Sequence, residues 1–175
     1  EVFDGALYDI EITEDFIFTT EENQLQTAPD GQSNNHGGGG GLRVLDIQGI
    51  FEATPVPPSE IGHYGTGETQ QLDVVSNVVY FTEHWQGLWA ISFDSATSSS
   101  TWPVEQVRWL DGDTTGLEVA SVDGRTLAWV GNRSQMHVLD VTNHAQVREL
   151  VVQDLPSSAV VQTSEALPLM WSSQF

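Results

Sequence analysis

Apolar and polar residues alternate along most of this chain in short runs broken by turn-forming residues, a period of two rather than the helical three and four. Ile10 to Glu21 lies over Leu72 to Glu83 without a gap. Each has an alternating run, a polar turn (Glu14-Asp15 or Ser76-Asn77), then an aromatic and β-branched run. This is the pattern of two strands joined by a tight hairpin. A third copy runs from Leu117 to Val122, turns at Asp123-Gly124 and resumes from Thr126 to Val130. Asp-Gly suits such a turn because both of its central positions take positive φ.

A third run follows each hairpin (Gly41 to Ile47, Gly87 to Phe93, Gln135 to Val141), and then a fourth, around Glu60 to Tyr64, Val104 to Leu110 and Val147 to Val152. The third runs begin 46 and 48 residues apart, close to the roughly 40–50 residues of a four-stranded propeller blade. The chain is therefore predicted to be all-β: a β-propeller fragment of about three four-stranded blades plus a partial fourth. The predicted blades cover approximately 6–67, 68–115 and 116–155. The partial fourth covers 156–175, where Ala159 to Val161 and Leu167 to Trp171 read as two further strands. Closed propellers have roughly four to eight blades, so closure is expected to need either further blades or self-association. Asn23 to Gly40 interrupts the first repeat with a Gly-rich insertion, predicted to be mobile because consecutive glycines are costly to order. It reads as a binding loop or a plain spacer.

The phrase Gly-Leu-Arg-Val-Leu-Asp-Ile at 41–47, its counterparts at 87–93 and 135–141, and Asp-Val-Val-Ser-Asn-Val-Val-Tyr-Phe at 73–81 resemble the LVIVD-repeat β-propeller family. The resemblance spans about Tyr8 to Leu155. It implies a propeller that is secreted or surface-associated, and it brings no common catalytic motif. Ser92 stands where the family prefers Asp, and Gln135 where it has Gly; both departures bear on loop geometry.

Charge narrows the function. There are 25 Asp and Glu against 5 Arg, with no Lys, for a net charge of −20. Clustered cations for phosphate binding are missing, so nucleic acid is excluded as a partner. Cysteine is absent, which removes disulfides, thiolate nucleophiles and Cys-ligated zinc. Hydrophobic residues make up 39% of the chain, enough for a core, so the acidity belongs to a folded surface. Such a surface keeps its hydration at high ionic strength, and an extracellular or cell-surface, halophilic setting is expected. No apolar run approaches the roughly 18 residues of a transmembrane helix. The chain opens at Glu1 with no basic segment and apolar stretch after it, as a mature or excised piece would.

Two constellations carry candidate chemistry. Trp85, between His84 and Gln86 in a connection from second to third strand, suits stacking on a sugar ring or on an apolar patch of a protein partner. The competing reading folds it back onto its own sheet. Asp111, Asp113, Thr115 and Glu118 offer oxygen ligands around Gly112, as a calcium loop does, although the twelfth position is Val122. Asp46 and Asp140, at one repeat position, are expected to accept backbone N–H bonds from the following turn. The five tryptophans other than Trp85 are expected to fill space between blades. Asn132-Arg133-Ser134 matches a glycosylation acceptor. The five histidines show no ligand spacing, and no Gly-x-Ser-x-Gly elbow occurs.

The expected function is a non-enzymatic, secreted or cell-surface module for binding or assembly, with a protein or glycan partner. Two alternatives stay open: a metal-dependent enzyme with its site on the propeller axis, completed by missing blades, and a structural subunit assembled through open blade edges.

Overall fold

The computed structural model describes residues 6–22, 41–65, 69–97, 102–110 and 112–155. The insertion 23–40, the partial fourth repeat 156–175 and Asp111 lie outside the described residues. Twelve strands follow in order: β1 (Ala6–Ile12), β2 (Phe16–Glu22), β3 (Gly41–Asp46), β4 (Ser59–Gly65), β5 (Thr69–Val75), β6 (Val78–Glu83), β7 (Gly87–Ser92), β8 (Val104–Arg108), β9 (Thr114–Val122), β10 (Arg125–Asn132), β11 (Gln135–Asp140) and β12 (Arg148–Asp154). They form three antiparallel four-stranded sheets, each a meander of four consecutive strands and none closed into a barrel. The chain is all-β, with the build of a propeller fragment.

Turn chemistry sets the hairpins. Asp123 and Gly124 both take positive φ (49° and 75°), the geometry whose twist matches that of the flanking strands. Gly87, at φ 85°, opens β7 where a Cβ would lie 2.4 Å from the Arg108 carbonyl oxygen. Its counterpart Gln135 needs no such backbone, because Asn132 Oδ1 organises that turn by accepting from Ser134 N at 2.9 Å and Gln135 N at 2.6 Å. Asp46 Oδ1 accepts from Gln48 N at 2.9 Å and Asp140 Oδ1 from Thr142 N at 3.1 Å, the turn-holding role read for this position. Thr142 also donates its hydroxyl, and these two bonds hold the Asp140 carboxyl below its ordinary range.

The sheets pack face to face in chain order, with first strand beside first strand: β1 against β5, and β5 against β9. An edge strand's outward N–H groups need partners, and here the preceding sheet supplies them. Asp9 Oδ2 accepts from Leu72 N and Gln71 Oε1 from Leu117 N, both at 3.0 Å, and Asp73 Oδ2 accepts from Val119 N at 2.5 Å. Asp9 and Gln71 occupy the same repeat position. Burial raises the Asp73 carboxyl above its ordinary range, against the pull of the Val119 and Val74 N–H groups, and nearby Asp9 pushes the same way.

Two cores result. Between the first and second sheets lie Phe18, Leu42, Val44, Leu72, Val79, Phe81, Ile91 and Trp102. Between the second and third lie Tyr80, Leu88, Ala90, Val107, Leu110, Leu117, Val119, Ala128, Val130, Leu139 and Val141. Strand alternation divides β6 between them, Val79 and Phe81 to one side and Tyr80 to the other. Trp109 departs from the expectation for tryptophans. It follows the end of the outermost strand β8 and is exposed.

Candidate functional site

The connections between second and third strands, and the starts of the first strands, open at one end of the sheets. The β6–β7 turn there is fixed from both sides. Gln86 N donates to the Glu83 carbonyl at 3.0 Å, Gln106 Nε2 donates to the Gln86 carbonyl at 2.7 Å, and Thr114 N donates to the His84 carbonyl at 2.9 Å. The last of these bonds ties the turn to β9 of the next sheet.

Just before β9, Asp113 is only 5% exposed. His84 Nε2 lies 2.6 Å from its Oδ1, and Arg133 Nε pairs with its Oδ2. A buried carboxylate is costly unless it is paired; Arg133 supplies that charge at Oδ2, while the His84 contact lacks hydrogen-bond geometry and leaves Oδ1 without a hydrogen-bond partner. Trp85 stands on this base with its ring centroid 4.6 Å from that of His84, tilted by 39°, and the residue is 52% exposed. Trp85 and Arg133 share one repeat position, each two residues before its third strand. The side chain of Arg133 is 77% exposed although its Nε is anchored. The structure therefore joins the two regions singled out in the sequence, His84-Trp85-Gln86 and Asp113, and adds Arg133. Trp85 is not folded back onto its sheet. Gln86 contributes its carbonyl to the turn rather than a contact to Asp113. A presented indole face beside a guanidinium can stack on a ring and hydrogen-bond its substituents.

Of the residues of the calcium reading, the described ones do not gather, since Glu118 stands apart from Asp113 and Thr115 along β9. Asp111 is outside the described residues. Thr115 and Glu118 belong to β9, which is already extended at Thr114, so Glu118 lies about 13 Å along the strand from Thr114. A calcium ion at this turn would have to be held without Glu118, because the ligands of one ion stand at about 2.3–2.6 Å from it. Among the described residues, no group of three or more His, Asp or Glu is placed to hold a metal. Asn132 is 6% exposed with its side chain built into the turn, a poor acceptor for a glycan.

At the opposite end, sequence reading missed a hydrogen-bonded chain. The Tyr80 hydroxyl lies 2.9 Å from His144 Nε2, and His144 Nδ1 meets Glu105 Oε1. They line a cleft of about 500 Å³ between the second and third sheets, with Ser76, Thr126 and Asn143 on its walls. Burial, with the Glu105 charge adding, pushes the Tyr80 phenol up to about 12, so it stays protonated near neutrality. Tyr80 and His144 are 64 residues apart, and no spacing rule connects them. The equivalent cleft between the first and second sheets, about 550 Å³, has Phe16, Phe18 and Phe93 in its lining instead.

Compared with known proteins, the chain matches no family model, no curated protein and no solved structure.

Proposed function

We propose that the chain is a non-enzymatic, secreted or cell-surface binding module, and that its rim of Trp85 and Arg133 holds a neutral glycan. One observation carries the reading: an indole half exposed to solvent, backed by His84, whose carbonyl is held by Thr114 N and whose imidazole stands 2.6 Å from the carboxylate of buried Asp113. Aromatic faces left open on a rigid base suit the apolar face of a pyranose ring, and the Arg133 guanidinium adds donors for hydroxyl groups. The net charge of −20 disfavours polyanionic sugars over neutral ones. The resemblance of residues 41–47, 87–93 and 135–141 to LVIVD-repeat propellers supports the extracellular setting, as does the acidic, lysine-free composition.

Isothermal titration with neutral gluco-, manno-, xylo- and chito-oligosaccharides tests it. The reading expects saturable binding of at least one series, weakened roughly tenfold or more in Trp85→Ala. Absence of binding across all four, or a Trp85→Ala protein that binds as well as the parent, overturns it.

A further inference from the structure

Among the described residues, the two end sheets each leave one face without a neighbouring sheet, and the repeat shows what those faces are built for. Every sheet carries two cross-strand rows, one on the face toward the preceding sheet and one on the face toward the following sheet. Toward the preceding sheet the second sheet presents Val74-Val79-Ile91 and the third presents Val119-Ala128-Leu139. Both rows are packed into the cores. The matching row of the first sheet is Ile12-Ile17-Leu45, equally apolar, yet Ile12 is 61% exposed and Ile10 beside it is exposed as well.

The opposite row has its own signature of an acid, an aromatic and a small aliphatic residue. It reads Glu11-Phe18-Val44 in the first sheet, Asp73-Tyr80-Ala90 in the second and Glu118-Trp129-Val138 in the third. In the first two sheets the aromatic and aliphatic members are buried against the next sheet. In the third, Val138 is buried (6% exposed) although no described sheet follows, and the same row continues to exposed Val151 on β12.

We propose that a second copy of this chain covers both faces: the Ile12 row of each protomer packs on the Trp129 row of the other, so that two chains close a six-sheet ring. The molecule itself carries both halves of the contact, in the positions that already form its two internal interfaces. Six sheets fall inside the roughly four to eight with which propellers close, and two identical head-to-tail contacts closed by a twofold axis give a finite dimer. Because each chain carries a net charge of −20, pairing strengthens as salt screens the repulsion.

Light scattering coupled to size exclusion, run on the 175-residue chain from low to molar salt, reads the result. The proposal expects twice the chain mass, with dissociation favoured at low salt. Ile12→Asp and Val151→Asp alter exposed positions on opposite faces, and circular dichroism and thermal melting establish that each variant is folded. Each is expected to shift dimerisation roughly tenfold or more toward monomer. Mixed in equal amounts, the two variants retain one intact contact between them and recover a dimer that neither forms alone. Should either variant fail to fold, Ile10→Asp replaces the first and Val151→Ser the second. A monomer at every salt concentration overturns the proposal. So does a dimer indifferent to both variants, or a mixture that stays monomeric.

Discussion

The two faces of the middle sheet meet their neighbours with different chemistry at the same repeat positions. Toward the first sheet the packing is aromatic: Phe93 lies 4.9 Å from Phe16, 5.3 Å from Phe18 and 5.0 Å from Trp102 between centroids, all edge-to-face. Toward the third sheet it is aliphatic, with one hydrogen-bonded chain, Tyr80–His144–Glu105, at its end. Phe18 and Tyr80 are equivalent residues. Repeat position thus decides that a side chain is buried, while the partner across the interface decides what it must be. The first interface depends on filled volume. The second also depends on polar groups being satisfied, because a buried hydroxyl without a partner costs more than the bond returns.

Truncation separates the two most sharply. Phe18→Ala is expected to cost about 3–5 kcal/mol in urea denaturation, since Phe18 is fully buried among rings that cannot collapse into the gap. Leu139→Ala, at a fully buried site in the aliphatic interface, is expected to cost about 3 kcal/mol. A loss below about 1 kcal/mol at either site would mean that the sheets do not pack there as described. Exchanging the equivalent residues sharpens the contrast. Phe18→Tyr buries a hydroxyl among phenyl rings and is expected to cost about 1–3 kcal/mol. Tyr80→Phe removes one hydrogen bond and is expected to cost about 0.5–1.5 kcal/mol.

The smallest effect is a pH dependence. The Tyr80 phenol is raised from 10.0 to about 12 by burial and Glu105, so between these values the folded chain keeps a proton that the unfolded chain has lost. The contribution is fully present below pH 10 and fades as pH rises through about 12. Melting temperatures of the parent and Tyr80→Phe are therefore expected to converge across this window. A gap that stays constant would show that Tyr80 is not buried as described.

Much of the fold was legible because sheet packing writes itself into period-two patterns. The hairpins at Glu14-Asp15, Ser76-Asn77 and Asp123-Gly124 stand at the strand junctions read from them, and Asp46 and Asp140 hold their turns as expected. Less of the rim was legible. Trp85 stood out because a large aromatic in a polar turn violates the local pattern, whereas Arg133 figured only as the middle of a glycosylation triplet until the fold set it against Asp113. The calcium reading grouped Asp111, Asp113, Thr115 and Glu118 around one turn, but the alternation from Leu117 onward already belongs to strand β9, and an extended strand carries Glu118 away. The Tyr80–His144–Glu105 chain crosses from one repeat to the next, and local patterns hold no record of that adjacency.

The central claim is that consecutive sheets adjoin through their first strands, with each inner edge capped by the sheet before it. Amide hydrogen exchange at Val119, measured by NMR in the parent and in Asp73→Ala, tests it most directly. The account predicts a protected Val119 amide in the parent, exchanging roughly tenfold or more faster once the Asp73 carboxylate is gone, with the Ala128 amide in the middle of the same sheet little changed. Equal Val119 exchange in the two proteins would contradict it.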